Sequence, residues 1–312
     1  MDFKGHLALD SLDVSIGSGV TGLVGANGAG KTTLFNILLG LITPTSGTAM
    51  VAGLDPIKDG ASVRARIGFS PERNILPDDM QAYEFVRHLS QVRGLPKSEA
   101  RSRSSDALWL VGLGEERLRP LGTMSTGQRQ RVKLAQALAS DPTLIFLDEP
   151  TDGLDPVQRD EMLELIGSIH GDFGIDVVVS SHVLEEVERV CDSVVVLDAG
   201  RCVVAGSVTD LVHSSETSVD IELVELASDN SPAAVAEWLQ AAGHTVTQDG
   251  VHLTIAGDSD AVFDAARDAV AATGARIRRF GKRRISLEEV FITAGENADG
   301  PAPYASSTRT DR

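Results

Sequence analysis

One short segment constrains the fold more than any other part of the chain. Residues 25–32 read Gly-Ala-Asn-Gly-Ala-Gly-Lys-Thr, which fits the pattern G-x-x-x-x-G-K-[ST]. An apolar run at 19–24 precedes the segment and a helical pattern at 32–41 follows it, so its context is strand, loop, helix. Glycines let successive backbone N–H groups turn inward around a phosphate, and the helix directs its positive N-terminus at the same anion. The segment therefore predicts an α/β fold with a phosphate-binding loop.

This phosphate loop supplies the first candidate site residues. Lys31 is expected to reach the β- and γ-phosphates of a nucleotide, and the Thr32 hydroxyl to coordinate Mg²⁺. The other residues expected to contact the nucleotide here are Gly25, Ala26, Asn27, Gly28, Ala29, Gly30 and Thr33.

A second, acidic element suits the metal. The apolar residues 144–147 predict a buried strand that delivers Asp148 and Glu149 at its C-terminal end, where ligands bind in open α/β sheets. Asp148 is expected to hold Mg²⁺ directly or through water. Glu149 can orient and deprotonate an attacking water molecule.

Short apolar runs alternate with helical patterns along the first two thirds of the chain. Further runs lie at 177–179 and 194–197, and such continuous runs are typical of strands buried on both faces of a parallel sheet. Helical patterns occur at 126–140, 157–171 and 183–190. We therefore predict an α/β domain with a parallel sheet over residues 1–210.

A second domain is predicted at 216–295, with the order β-α-β-β-α-β of ferredoxin-like α+β domains. Its predicted strands and helices alternate, at 219–224, 231–242, 244–248, 251–256, 259–273 and 275–280. Ser231 is a plausible N-cap, Asp249-Gly250 a hairpin turn, and Gly274 a helix terminator. Residues 296–312 are rich in Pro, Ser, Ala and Gly, and we predict a disordered tail.

Composition excludes several classes of protein. The chain has 45 Asp and Glu against 28 Lys and Arg, a formal charge of −17 over 312 residues. This balance argues against binding nucleic acid through its phosphates. No apolar run approaches the roughly 20 residues of a membrane span, and acidic residues stand where a signal peptide is basic. Cys191 and Cys202 are expected to be reduced thiols in the core.

Four further motifs resemble those of the ATP-binding subunits of ABC transporters, in the order found in that family. Residues 124–128, Met-Ser-Thr-Gly-Gln, resemble the signature L-S-G-G-Q, and residues 67–73 match the glutamine loop. Asp155 in Gly-Leu-Asp-Pro matches the D-loop, and His182 matches the switch histidine. The resemblance covers about residues 3–210. It implies an ABC-type P-loop ATPase core with a helical subdomain at about 74–140 that meets a membrane partner.

The resemblance also implies how the sites work. ATP is sandwiched between the phosphate loop of one subunit and the signature of another, which is a second copy or a homologous ATPase. Ser125, Gly127, Gln128 and Asp155 then contact the nucleotide held by the other subunit. His182 contacts the γ-phosphate and the attacking water. Phe3 is in register with the aromatic residue that stacks on adenine, the alternative being a frayed terminus.

Two residues depart from the family pattern. Glu72 stands where the glutamine loop usually has Gln, and Thr126 replaces the first signature glycine. A carboxylate at position 72 can still bind Mg²⁺ or water, so Glu72 joins Thr32 and Asp148 as a predicted metal residue. The negative charge of Glu72 nevertheless changes the local balance of charge, because Gln is neutral.

The expected function is an ATPase that powers a separately encoded integral-membrane permease from the cytoplasmic face of the membrane. Residues 285–291, Ile-Ser-Leu-Glu-Glu-Val-Phe, resemble the ending of bacterial drug, antibiotic or polysaccharide export ATPases, which implies export of a hydrophobic substrate. The basic residues between 276 and 284 form either a solvated strand and turn or an interface for an acidic partner or anionic headgroups.

Two alternatives remain at this point. The first is an ABC ATPase of translation or DNA repair, against which the single uninterrupted core and the acidic composition argue. The second is a regulatory module that does not hydrolyse ATP, against which the intact Lys31, Asp148, Glu149 and His182 argue.

Overall fold

The computed structural model describes residues 1–3, 5–73, 75–214, 218–224, 232–282 and 287. The chain divides into two compact units, one containing Met1–Val208 and the other Thr209–Val290. The expectations for Ser231, for the basic residues 283 and 284, for the ending at 285–291 apart from Leu287, and for the tail at 296–312 lie outside the described residues.

The first unit is built on a six-stranded sheet and a small two-stranded one. Their strands are β1 (Asp2–Phe3), β2 (His6–Leu7), β3 (Val20–Val24), β4 (Ile67–Ser70), β5 (Leu144–Asp148), β6 (Asp176–Ser181), β7 (Ser193–Asp198) and β8 (Arg201–Ser207). The large sheet has the order β4-β5-β6-β3-β7-β8. Strands β4, β5, β6, β3 and β7 run parallel, which confirms the predicted α/β core.

Strand β8 corrects the prediction of a wholly parallel sheet, because it pairs antiparallel with β7 at the edge. The two strands are joined by only Ala199 and Gly200, both at positive φ (45° and 79°). A two-residue connection of this kind forces the chain to reverse direction. The strand escapes detection in the sequence because its residues are only partly buried, so it lacks a continuous apolar run.

Some helices pack against the large sheet, and others pack mainly against one another. In the first unit they are α1 (Lys31–Leu38), α2 (Gly60–Arg66), α3 (Ala82–Val92), α4 (Lys97–Leu110), α5 (Thr126–Leu138), α6 (Pro156–Phe173) and α7 (Leu184–Val190). Helix α8 (Val208–Ser214) begins at the last residue of the first unit and lies otherwise in the second. Helices α3, α4 and α5 contact one another within the predicted helical region. α5 also packs closely on β4, where a Cβ on Gly68 would lie 2.3 Å from the carbonyl oxygen of Ala137.

The core of the first unit lies on the faces of its large sheet. The fully buried rings of Phe35 and Phe146 meet edge to face with centroids 5.3 Å apart. Leu23, Val178 and Val195 surround them from adjacent strands. Burying aliphatic and aromatic side chains of this size stabilises a fold by roughly 1.5–3 kcal/mol each, so this cluster fixes the strand ends that carry the site.

The second unit has the element order β-α-β-β-α-β. Its elements are β9 (Ser218–Leu223), α9 (Pro232–Ala241), β10 (Val246–Asp249), β11 (His252–Ala256), α10 (Asp260–Thr273) and β12 (Ile277–Lys282). The sheet order is β10-β11-β9-β12, with every described pair antiparallel. Gly274 ends α10 in the left-handed conformation at φ 67°. The hairpin loop is Gly250-Val251, one residue later than predicted, because Asp249 pairs with His252.

Across the described ranges, none of the helices is long and apolar enough to cross a membrane.

Candidate active site

The phosphate loop follows the fully buried strand β3 and leads directly into α1. Gly28 and Gly30 have φ angles of 87° and 107°, in the left-handed region that glycine adopts without strain. A Cβ on Gly25 would lie 2.4 Å from the carbonyl oxygen of Leu197, and one on Gly30 would lie 2.7 Å from that of Ala8. Glycine is therefore required at both ends of the loop, because a side chain there would collide with a neighbouring backbone carbonyl.

Lys31 is folded back over the phosphate loop. Its Nζ donates a hydrogen bond to the carbonyl oxygen of Gly25 at 2.5 Å and lies 3.3 Å from Oε1 of Glu149. The residue is only 6% exposed. The ammonium group therefore already lies between the loop and the acidic strand end, where the phosphates of a nucleotide are expected.

Asp148 ends strand β5 and Glu149 directly follows it, at the strand end where they were predicted, and both are buried. Glu149 has a φ of 47°, a conformation that costs a non-glycine residue roughly 1 kcal/mol or more. The Ser180 hydroxyl donates to Oδ1 of Asp148 at 2.6 Å and accepts a hydrogen bond from the backbone N–H of Glu149 at 3.0 Å. Burial raises the pKa of Asp148, while the hydrogen bond from Ser180 opposes that rise. Ser180, which sequence reasoning missed, thus holds both carboxylate residues in place.

His182 lies beside Glu149, a contact that the motifs did not specify. Its Nδ1 is 2.9 Å from Oε2 of Glu149, and half of its side chain is exposed. Because Lys31 approaches the other carboxylate oxygen, the Glu149 side chain is held from both sides. These two contacts hold the Glu149 carboxylate at the rim of the phosphate loop.

A cleft of about 450 Å³ joins most of the predicted nucleotide and metal residues. Its walls include Phe3, Thr32, Glu72, Asp148 and Glu149, and Phe3 is 45% exposed to it and to solvent. The phosphate-loop residues that line it are Ala26, Asn27, Gly28, Gly30, Lys31, Thr32 and Thr33. Gly25 and Ala29 are buried behind the loop. One cleft can therefore receive a polyphosphate, a base beside Phe3 and a metal.

The donors in this cleft suit Mg²⁺, which takes oxygen ligands from one or two carboxylates and from phosphates. Thr32, Asp148 and Glu72 supply a hydroxyl and two carboxylates. Among the described residues no group of three or more His, Cys, Asp or Glu side chains forms a closed metal cluster. The three protein donors leave other positions around such an ion for phosphate oxygens.

The signature residues line a different cleft, of about 320 Å³. Ser125 caps α5, accepting a hydrogen bond from the Gln128 backbone N–H at 3.2 Å while its own N–H donates to the Gln128 side chain at 3.1 Å. A hydroxyl that accepts one hydrogen bond can still donate its own proton to an anion. Gly127 leaves room for the Gln158 side chain, whose amide oxygen would lie 2.6 Å from a Cβ at this position. The chain therefore presents two clefts that share no residue.

Asp155 acts as the N-cap of α6. Its Oδ1 accepts a hydrogen bond from the backbone N–H of Gln158 at 2.9 Å, and Asp155 is not among the residues that line either cleft. This local role is enough to account for an Asp at position 155, since Asp is a preferred N-cap and Pro156 stands at the first helical position.

A buried carboxylate that sequence reasoning missed ties the surrounding loops together. Oε2 of Glu186, on α7, accepts hydrogen bonds from the hydroxyls of Thr151 at 2.8 Å and Ser181 at 2.9 Å. Its Oε1 lies 3.3 Å from Nε of Arg159 on α6. Glu186 therefore links the turn after Glu149, the residue before His182 and the helix after Asp155.

Lys133, on α5, is a buried cation near the acidic strand end. It is 2% exposed, and its Nζ donates to the backbone carbonyl of Glu72 at 3.0 Å. Burial lowers its pKa to about 8, against the opposing influence of the carboxylates of Asp148, Glu72 and Asp152. The side chain is thus still mostly protonated at neutral pH.

Replacing Lys133 by Met is expected to raise the free energy of unfolding at pH 7 by about 2 kcal/mol. The fall of its pKa from 10.5 to about 8 corresponds to roughly 3 kcal/mol, and the orphaned Glu72 carbonyl offsets about 1 kcal/mol of that gain. Between pH 8 and 10.5 the unfolded chain binds more protons, so the wild type regains stability and the gain shrinks. Urea denaturation at pH 7 and pH 10 measures the free energy of unfolding of both proteins. Gln136→Met, on the same helix, is the control. An equal gain in stability of Lys133→Met over wild type at both pH values would contradict the prediction.

Comparison with known proteins agrees with this geometry. A family model described as ABC transporter matches residues 9–152. The daunorubicin/doxorubicin resistance ATP-binding protein of Streptomyces peucetius is 31% identical over 95% of this chain and 91% of its own length. This chain belongs to the ABC transporter family of ATP-binding proteins. The ABC ATPase is also 30% identical to a methionine import ATP-binding protein of Caulobacter vibrioides, over 98% of this chain and 93% of that protein.

One relative is matched over only part of its length. An uncharacterized ABC transporter ATP-binding protein of Nostoc sp. is 38% identical over 68% of this ABC ATPase, which spans 63% of that relative.

Solved structures share the fold of this ABC ATPase. A Clostridium perfringens protein described as part of the ABC transporter complex cbiONQ has a TM-score of 0.61 and 30% identity, over 67% of this chain and 84% of that one. A dimeric ATP-binding cassette in a post-hydrolysis state, bound to ADP and Pi, has a TM-score of 0.57 and 25% identity, over 64% and 90%. The family and these cassettes identify an enzyme that binds and hydrolyses ATP.

Proposed function

We propose that this ABC ATPase is the energy-supplying subunit of an exporter whose permease is a separate polypeptide. The observation that carries the proposal is the pair of clefts: Lys31, Asp148 and Glu149 meet at one, and Ser125 and Gly127 line another with no residue in common. Each chain thus offers two half-sites, and two chains facing each other complete both.

ATP binds in the larger cleft. The backbone N–H groups of residues 25–30 and the N-terminus of α1 bind the phosphates, and Lys31 turns from the Gly25 carbonyl to the β- and γ-phosphates. Phe3, half exposed at the cleft, stacks on the adenine ring. Thr33 completes the phosphate contacts beside Thr32.

Thr32, Asp148 and Glu72 hold Mg²⁺ together with the nucleotide, the first through its hydroxyl and the others through carboxylates. A Mg²⁺ ion held by these residues would supply positive charge to the phosphate oxygens. Ser180 keeps Asp148 aimed at the cleft through its 2.6 Å hydrogen bond.

Glu149 is the general base for hydrolysis. It orients a water molecule in line with the γ-phosphorus and accepts its proton as the oxygen attacks. His182, 2.9 Å from Oε2, fixes the carboxylate and contacts the γ-phosphate. ADP and inorganic phosphate are the products.

A second copy, or a homologous ATPase, supplies Ser125, Gly127, Gln128 and Asp155 to the bound nucleotide. The hydroxyl of Ser125 and the open N-terminus of α5 together form an anion site at the smaller cleft. ATP-driven closure of the two ATPases and their reopening after hydrolysis then move the permease.

Export of a drug, antibiotic or other hydrophobic compound is the direction we propose. Its support is the likeness to the Streptomyces peucetius resistance protein over 95% of the chain, together with the export-type sequence at 285–291. Bound to the permease, the ATPase lies on the cytoplasmic face of the membrane. The charge of −17 supports a role without nucleic acid.

Affinity purification of the full chain from detergent-solubilised membranes tests this function. We expect a polytopic membrane protein to copurify. Expressing its gene together with the gene of this ATPase is expected to lower cellular accumulation of doxorubicin, and to do so only when the ATPase can hydrolyse ATP. ATP hydrolysis without any membrane partner, accompanied by binding to ribosomes or DNA at physiological salt, would establish the alternative role in translation or repair. Uptake instead of efflux would reverse the proposed direction.

A further inference from the structure

The buried cation Lys133 lies where α5 crosses the loop that carries Glu72. The helix directs Gln130, Lys133 and Gln136 to one face, since they are three residues apart. Gln130 donates to the carbonyl of Asp152 at 3.1 Å, and Gln136 donates to that of Phe69 at 3.2 Å. Lys133 donates to the carbonyl of Glu72 at 3.0 Å, between them. Three side chains thus make the same kind of contact, and only the central one is charged.

The packing of α5 fixes the position of this charge. Gly68 lets the helix approach β4 closely, since a Cβ there would lie 2.3 Å from the carbonyl oxygen of Ala137. Lys133 is only 2% exposed, and its ammonium group is held at the loop by the 3.0 Å hydrogen bond to the Glu72 carbonyl.

The hydrogen bond alone does not account for a lysine at this position. Gln130 and Gln136 make equivalent bonds to carbonyls with neutral amides. A buried ammonium group is far more costly than a buried amide, so its retention points to a role for the charge. The nearby charges are the carboxylates of Asp148, Glu72 and Asp152.

The charge balance of the large cleft suggests that role. Asp148, Glu149 and Glu72 contribute three negative charges to its walls, and Lys31 one positive charge. A nucleotide that enters is itself a polyanion, so each uncompensated carboxylate opposes its binding. Lys133, buried behind Glu72, brings a second positive charge without occupying the cleft.

We propose that Lys133 is a positioning residue that holds the Glu72 loop at the nucleotide cleft and offsets the charge of the Glu72 carboxylate. It acts through the loop and through its field, without touching the nucleotide. This role rests on the proposed function of the larger cleft as the Mg²⁺–ATP site.

Four forms of the full chain test the idea: wild type, Lys133→Met, Glu72→Gln and the double variant. Binding of a fluorescent ATP analogue with Mg²⁺ is titrated for each. We expect Lys133→Met to weaken binding about tenfold, the effect of one unscreened charge several ångströms away. In the Glu72→Gln background the same change is expected to weaken binding by no more than about threefold, because the carboxylate whose charge Lys133 offsets is gone.

Gln136→Met is the matched control, because it removes a similar bond from the same helix face without changing the charge. We expect it to bind the analogue with an affinity within about twofold of wild type. Thermal unfolding of each variant checks that it is folded. Equal losses from Lys133→Met whether residue 72 is Glu or Gln would overturn the charge role. So would unchanged binding in Lys133→Met. If the wild type itself fails to bind, the proposed function fails along with this inference.

Discussion

Replacing Glu149 by Gln is expected to lower the rate of ATP hydrolysis by at least about 100-fold while ATP binding is retained. Removing a general base typically costs two to four orders of magnitude in rate. The amide has the shape of the carboxylate and can still contact His182 and Lys31, which lie 2.9 Å and 3.3 Å from the carboxylate oxygens. The phosphate loop, which supplies the binding contacts, is unchanged.

Phosphate release and equilibrium nucleotide binding, measured on the same preparations, check this expectation. Glu185→Gln is the matched control, because Glu185 is exposed on α7, close in sequence to His182 but outside the cleft. The control is expected to hydrolyse ATP within about twofold of wild type. A Glu149→Gln protein that keeps a tenth or more of the activity would show that another group accepts the proton.

Replacing Glu186 by Ala is expected to lower the free energy of unfolding of the first unit by about 3 kcal/mol. The change removes the acceptor for the hydroxyls of Thr151 and Ser181 and leaves Arg159 without its 3.3 Å ionic partner. Unpaired buried polar groups cost about 1–3 kcal/mol each, and breaking a buried ion pair costs several. Because Arg159 is partly exposed, water compensates part of that loss.

Urea denaturation followed by tryptophan fluorescence measures this effect. The chain has two tryptophans, Trp109 in the first unit and Trp238 in the second, so a Trp238→Phe background reports on the first unit. Glu185→Ala, on the same helix but exposed, is expected to change stability by less than about 0.5 kcal/mol. The role assigned to Glu186 is wrong if its Ala variant is as stable as this control.

Ligand-binding residues close together in the sequence were predictable, because the local backbone determines their chemistry. Gly28 and Gly30 must adopt positive φ, and Lys31 follows at the start of a helix. Asp148 ends a buried apolar strand and Glu149 directly follows it, which brings both to the edge where a parallel sheet binds ligands. Four strands of the large sheet, β3, β5, β6 and β7, followed from their short apolar runs, whereas β4 and β8 did not.

Supporting residues were not predictable, because they become neighbours only when strands pair. Ser180 meets Asp148 through the register of β5 and β6, across 32 residues of sequence. Glu186 joins Thr151 and Ser181 only after α7 packs beside the sheet. A serine and a glutamate in a polar stretch carry no signal of this in the sequence.

The sequence by itself determined that this chain has a phosphate loop, an acidic strand end and a signature segment, since each depends on backbone conformation within a few residues. Tertiary structure alone decided that Lys31 and His182 both contact the Glu149 carboxylate and that the ammonium group of Lys133 is buried at the Glu72 loop. The physical reason is that pairing of strands and exclusion of water act between segments far apart in the chain. Strand pairing and the exclusion of water determine the distances and charges within the site, whereas the motifs identify only its residues.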